Sequence, residues 1–156
     1  DIRFVEGRHE EGGEVMAGSN DMLEQRYVQD WLDTRHPKGI VYWRARVGPW
    51  PNGDRLAGVT RPFPDAVIEE DGKVIIVEAK TRPDTRAIGQ IQLYVDQFPT
   101  TPELRHLKDM PVEAVMLTTR DDPVLRPFAE AHGIRYEVYL PAWLKTALED
   151  KAAEFR

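Results

Sequence analysis

The amino-acid sequence predicts an α/β fold, a mixed central β-sheet flanked by helices. Three observations lead there. Segments with helical spacing of apolar residues interleave with short β-branched runs, in the order α-β-β-β-α-β-α-β-α. Residues 65–80 read as two strands around Asp71-Gly72, a dipeptide suited to the positive φ angles of a type I′ hairpin turn. The length of 156 residues, 41% of them hydrophobic, suits one compact domain with a core of its own.

Residues 1–18 are rich in Gly and Glu and lack periodicity, so 1–20 are expected to form an acidic arm ahead of a single domain at 21–156. Leu23, Tyr27, Val28, Trp31 and Leu32 recur at helical spacing, predicting a helix over 21–35 that Pro37 and Gly39 end. Ile40–Val47 reads as a strand and 48–58 as a Gly/Pro/Asn loop. After the hairpin strands at 65–69 and 73–80, Ile88, Ile91, Val95 and Phe98 mark a helix over 85–98. Pro99 and Pro102 break it, with a short helical turn expected at 103–109. A strand at 112–119, a helix at 123–132 stopped by Gly133, a strand at 134–140 and a helix from Ala142 complete the reading.

Composition narrows the function. With no cysteine, disulfides, thiolate zinc sites and iron–sulfur clusters are all excluded, and the four histidines show no zinc spacing. No apolar run approaches the ~20 residues of a membrane-spanning helix. A reducing cytoplasm, in a bacterial, archaeal or phage-infected cell, is the expected location. The net charge is −6, but it is unevenly spread. Residues 1–24 hold seven acids and two bases, whereas 26–61 hold seven bases and three acids.

The chemistry concentrates after that basic stretch. A two-residue loop at Asp71-Gly72 pairs residue 70 with 73, and the same register sets Asp65 opposite Glu78. Lys80, two residues on, shares their face of the sheet. The run Val74-Ile75-Ile76-Val77 leading to them is apolar on both faces, as in a central buried strand. Two carboxylates there repel each other and are costly to desolvate. A divalent cation between them removes the conflict, and a carboxylate donor set suits Mg²⁺ or Mn²⁺. Cation, carboxylates and lysine are the parts of phosphodiester hydrolysis: charge neutralisation, an oriented water and a group for the developing charge.

Pro64-Asp65, twelve residues, then Glu78-Ala79-Lys80 resembles the motif of the PD-(D/E)XK nuclease superfamily, and the predicted order from 21 to 119 resembles its restriction-endonuclease-like αβββαβ core. The resemblance implies that Asp65, Glu78 and the backbone carbonyl of Ala79 hold the metal while Lys80 is catalytic. Many members carry a glutamate on the first helix, which implies Glu24 here. Asp21-Met22-Leu23-Glu24 also reads as a capping-box variant with Asp21 as N-cap. Gln90 and Tyr94, at i and i+4, are similar to the Gln-x-x-x-Tyr pattern of the RecB-like branch, while the Arg61-Pro62-Phe63-Pro64-Asp65 run is similar to TnsA-like transposase endonucleases. Both branches stay open.

Arg44, Arg46, Arg61, Arg82 and Arg86 flank the motif and are candidate phosphate contacts. Trp50, between two prolines, is a candidate for base stacking. The function expected is that of a Mg²⁺- or Mn²⁺-dependent DNA nuclease, cutting internally or from an end. One site per chain cuts one strand, so cutting a duplex calls for a homodimer or a partner protein that also supplies targeting. The alternative is a non-catalytic nucleic-acid-binding or assembly module on the same fold.

Overall fold

The computed structural model describes residues 3–5 and 19–155. Among these residues, six strands form one sheet in sequential order: β1 (Arg3–Val5), β2 (Ile40–Trp43), β3 (Ala66–Glu70), β4 (Lys73–Lys80), β5 (Val112–Thr118) and β6 (Ile134–Val138). β2, β3 and β4 pair antiparallel, while β1 with β2, β4 with β5 and β5 with β6 pair parallel. The mixed sheet follows from the connections. Two residues suffice between antiparallel β3 and β4, whereas the parallel neighbours are joined through helices.

Those helices are α1 (Ser19–Arg35), α2 (Arg86–Gln97), α3 (Leu125–Ala131) and α4 (Ala142–Glu154). β4 is central and its side chains alternate between two cores. Ile75, Val77 and Ala79 pack with Tyr27, Trp31 and Leu32 of α1 and Leu144 of α4. Val74 and Ile76 point the other way, onto Tyr94 of α2 and the Phe98 that follows it. A third cluster joins Ile88 and Ile91 of α2 to Leu125 and Ala129 of α3 over β5 and β6. The sheet is therefore sandwiched between α1/α4 and α2/α3. Burial on both faces explains the unbroken apolar run in β4.

Several expectations shift by a few residues, each for a local reason. Arg3–Val5, inside the expected arm, pairs with β2 as an edge strand; residues 6–18 lie outside the described residues. Helix α1 begins at Ser19, so Asp21 falls within the helix and not at its cap. β2 ends at Trp43, not 47, because Arg44 turns to a φ of 50° while its N–H reaches the Asp65 carbonyl at 3.1 Å. The 48–61 stretch is not a bare loop but carries two 3-10 turns, Pro51–Gly53 and Leu56–Thr60. The hairpin turn is as expected, with φ of 52° at Asp71 and 74° at Gly72. No helix among the described residues is long and apolar enough to cross a membrane.

Ile76 is fully buried against α2. Ile76→Ala is expected to lower unfolding stability by about 2–5 kcal/mol in a denaturant titration. Val124→Ala, at a side chain 78% exposed, is expected to change it by less than about 0.5 kcal/mol.

Candidate active site

The antiparallel ladder pairs Glu70 with Lys73 and runs to Ala66 with Val77. One step further the same register brings Asp65 opposite Glu78. Here the ladder changes hands. The N–H of Asp65 donates to the Val77 carbonyl at 3.1 Å, and the Asp65 carboxylate accepts from the N–H of Ala79 at 2.7 Å. A side chain has replaced a backbone acceptor, which anchors that carboxylate against β4. The preceding residue, Pro64, has no N–H to offer the Ala79 carbonyl.

Glu78 is 7% exposed at the carboxyl end of a buried strand. Its Oε1 lies 3.5 Å from Lys80 Nζ, and its Oε2 is buried without a hydrogen-bond partner. Burial first, then the charge of Asp65, pushes the Glu78 carboxyl up to about 8, against the pull of Lys80. An unpartnered buried carboxylate oxygen beside a second carboxylate is a costly arrangement for a purely structural site. It fits a small hard cation, since the donors are oxygens and the electrostatic defect is an excess of negative charge. Among the described residues, no three His, Asp or Glu side chains gather as a metal cluster. The acidic set is the pair Asp65 and Glu78. The Ala79 carbonyl and water are left to complete the octahedral shell that Mg²⁺ prefers.

The surrounding residues divide into those near the pair and those engaged elsewhere. Tyr94 on α2 is buried, and burial together with the charges of Glu78 and Asp65 holds its hydroxyl well above the ordinary phenol range. Gln90, one turn earlier on the same helix face, has a buried Oε1 without a partner. Glu24 does not join a three-carboxylate cluster; it lines the same cleft as Lys80, approaching from α1 on the opposite side of the sheet.

Arg61 needs correction as a phosphate contact. It is 8% exposed, donates to the carbonyls of Gly58 and Gly48 at 2.8 Å each, and pairs with Glu103 at 2.5 Å. It therefore staples the 48–61 segment to the turn at Pro102–Leu107. Trp50, half-buried beside Gly58 and interacting with Glu103, belongs to the same packing. Arg44 and Arg46 both lie over the Phe63 ring at 4.8 Å, two residues before Asp65, and Arg46 also donates to the Arg61 carbonyl. Arg82 and Arg86 line the cleft beside Lys80, with Arg86 paired to Asp84 at 2.9 Å.

Sequence reasoning missed Thr118. It pairs with Lys80 in the β4–β5 register, is fully buried, and its hydroxyl has no partner. The available signal was a hydroxyl residue ending the apolar run from Ala114 to Leu117.

No family model matches the sequence, and neither does any curated protein. Solved structures do match the fold. A repair endonuclease from Pyrococcus abyssi superposes with a TM-score of 0.52 at 16% identity, over 76% of this chain and 47% of that one. A protein of unknown function superposes with a TM-score of 0.52 at 14% identity, over 83% of this chain and 66% of that one. The chain thus has an endonuclease-like α/β fold, and it spans less than two thirds of the length of either neighbour. At this identity the likeness concerns the fold alone.

The raised Glu78 carboxyl has a pH signature in the metal-free protein. Its folded pKa lies above the unfolded value of 4.5, so its contribution to stability is full below about pH 4.5 and is lost as pH rises through about 8. Thermal melts in EDTA are expected to show wild type losing stability relative to Glu78→Gln across that window. Parallel curves from pH 4.5 to 8 would contradict the assignment.

Proposed function

We propose that this chain is a Mg²⁺- or Mn²⁺-dependent deoxyribonuclease of the PD-(D/E)XK type. The observation that carries the reading is Glu78: a buried carboxylate with an unpartnered oxygen, set against Asp65 and followed on the same face by Lys80. The endonuclease-like fold is consistent with it.

In this reading Asp65 and Glu78 hold the ion, with the Ala79 carbonyl as a further donor. When bound, the ion supplies Lewis acidity toward the phosphate and its attacking water. Asp65 cannot easily swing away, because its second role is to accept the Ala79 N–H. Lys80, its side chain 23% exposed, reaches from the buried strand end into the cleft. The Lys80 ammonium, 3.5 Å from Glu78, would donate to the scissile phosphate and to the charge that develops on it. Tyr94 keeps its proton and orients Glu78 from the α2 side, with Gln90 one turn away. Arg44 and Arg46, held on Phe63, and Arg82 and Arg86, on the cleft wall, are placed for phosphates further along the strand. One such site cuts one strand, so duplex cleavage takes a second copy or a partner chain.

Wild type is expected to cleave DNA in Mn²⁺ and to be silent in EDTA. Lys80→Ala and Asp65→Asn are each expected to reduce the rate by roughly 100-fold or more while leaving the fold intact by circular dichroism. Separately, Mg²⁺ or Mn²⁺ is expected to raise the melting temperature of wild type but not of Asp65→Asn. A wild type that neither cleaves nor gains stability with either ion would remove the basis for a nuclease.

A further inference from the structure

Lys80 opens onto a cleft of about 480 Å³ whose far wall is the C-terminal helix α4. Four cations line it: Lys80, Arg82 and Arg86 from β4 and the turn after it, and Lys151 from α4. Two acids, Glu24 and Asp84, stand against them, and Asp84 is taken up by Arg86. The remaining wall includes Leu148 and Phe155 of the α4 segment. Phe155 is 87% exposed, a large apolar side chain at the mouth of a cationic cleft. Phe155 belongs to none of the three core clusters.

We infer that this α4 wall is a binding subsite for the unpaired nucleotide next to the scissile phosphate, with Lys151 taking a backbone phosphate and Phe155 stacking on a base. The inference rests on the nuclease reading above and deepens it. The chemistry is that of single-strand binding: a positively charged groove follows the backbone, and an exposed aromatic face accepts any base. The volume suits one or two nucleotides. A paired, stacked base cannot present its face to Phe155 without leaving the helix, so a duplex gains only the phosphate contacts. Continuity matters too. Lys80 belongs to both the carboxylate site and this cleft, so a strand seated here delivers its next phosphate to Asp65 and Glu78.

The test uses the Asp65→Asn protein in EDTA, so that cutting is suppressed, and two labelled probes, an oligothymidylate and a hairpin duplex. Fluorescence anisotropy is expected to show Phe155→Ala weakening oligothymidylate binding roughly 5-fold or more, the measure of one lost stack, with duplex binding little changed. Lys151→Glu is expected to weaken it as well and to reduce the salt slope by roughly 0.7. Lys151 lies in the last turn of α4 and Phe155 directly follows that helix, so melting temperatures matching the parent serve as the fold control. Oligothymidylate affinity unchanged in both variants would overturn the subsite, as would an equal loss on both probes for Phe155→Ala. If wild type nonetheless cleaves DNA, the nuclease reading survives that result. A parent that binds neither probe, with a wild type that cuts neither, would overturn both.

Discussion

A two-residue turn at Asp71-Gly72 locks β3 to β4 in one register, and the chemistry of the molecule hangs on that register. Side chains on a strand alternate with a period of two. A slip of one residue would send Glu78 and Lys80 to the α1 face and put Val77 beside Asp65. The register is protected twice over. The positive φ angles of the turn favour a two-residue loop, and the apolar run from Val74 to Val77 has a core to fill on each side. Asp65 adds a third lock at the far end by accepting the Ala79 N–H, so the hairpin is pinned at its turn and at its mouth.

That arrangement sets two large effects against each other. Hydrophobic burial drives β4 into the centre of the sandwich, and in doing so it carries a glutamate to 7% exposure next to an aspartate. Lys80 offsets part of the cost at 3.5 Å, yet Oε2 stays unpartnered and the carboxyl is driven toward its protonated form. The scaffold is stable enough to hold a local charge conflict that isolated strands would relieve by moving. A divalent cation, as proposed above, would relieve that conflict.

The arginines illustrate how similar sequence positions diverge in role. Arg61 is consumed by structure, with three carbonyl and carboxylate partners fastening the 48–61 segment. Arg44 and Arg46 are held by a single ring, Phe63, beside the site, and Arg82 lies on the cleft wall. A guanidinium with its donors already committed cannot serve a phosphate, whereas one resting on an aromatic face keeps most of them.

The sequence by itself determined the features that act over short separations. Turn chemistry set the hairpin, period-two alternation set which face carries Asp65, Glu78 and Lys80, and helical spacing located α1, α2, α3 and α4 to within a few residues. Only the tertiary structure decided what depends on distant segments meeting. Arg61 finds Glu103 across 42 residues, Lys80 shares a cleft with Lys151, and Thr118 comes level with Lys80 only once β5 has paired with β4. The edge strand at Arg3–Val5 likewise exists only because β2 offers it an open row of backbone donors and acceptors. Periodicity and turn signals are local consequences of backbone geometry and burial, so one segment carries them alone. The partner of an arginine, or the far wall of a cleft, is a property of packing, and no single segment contains it.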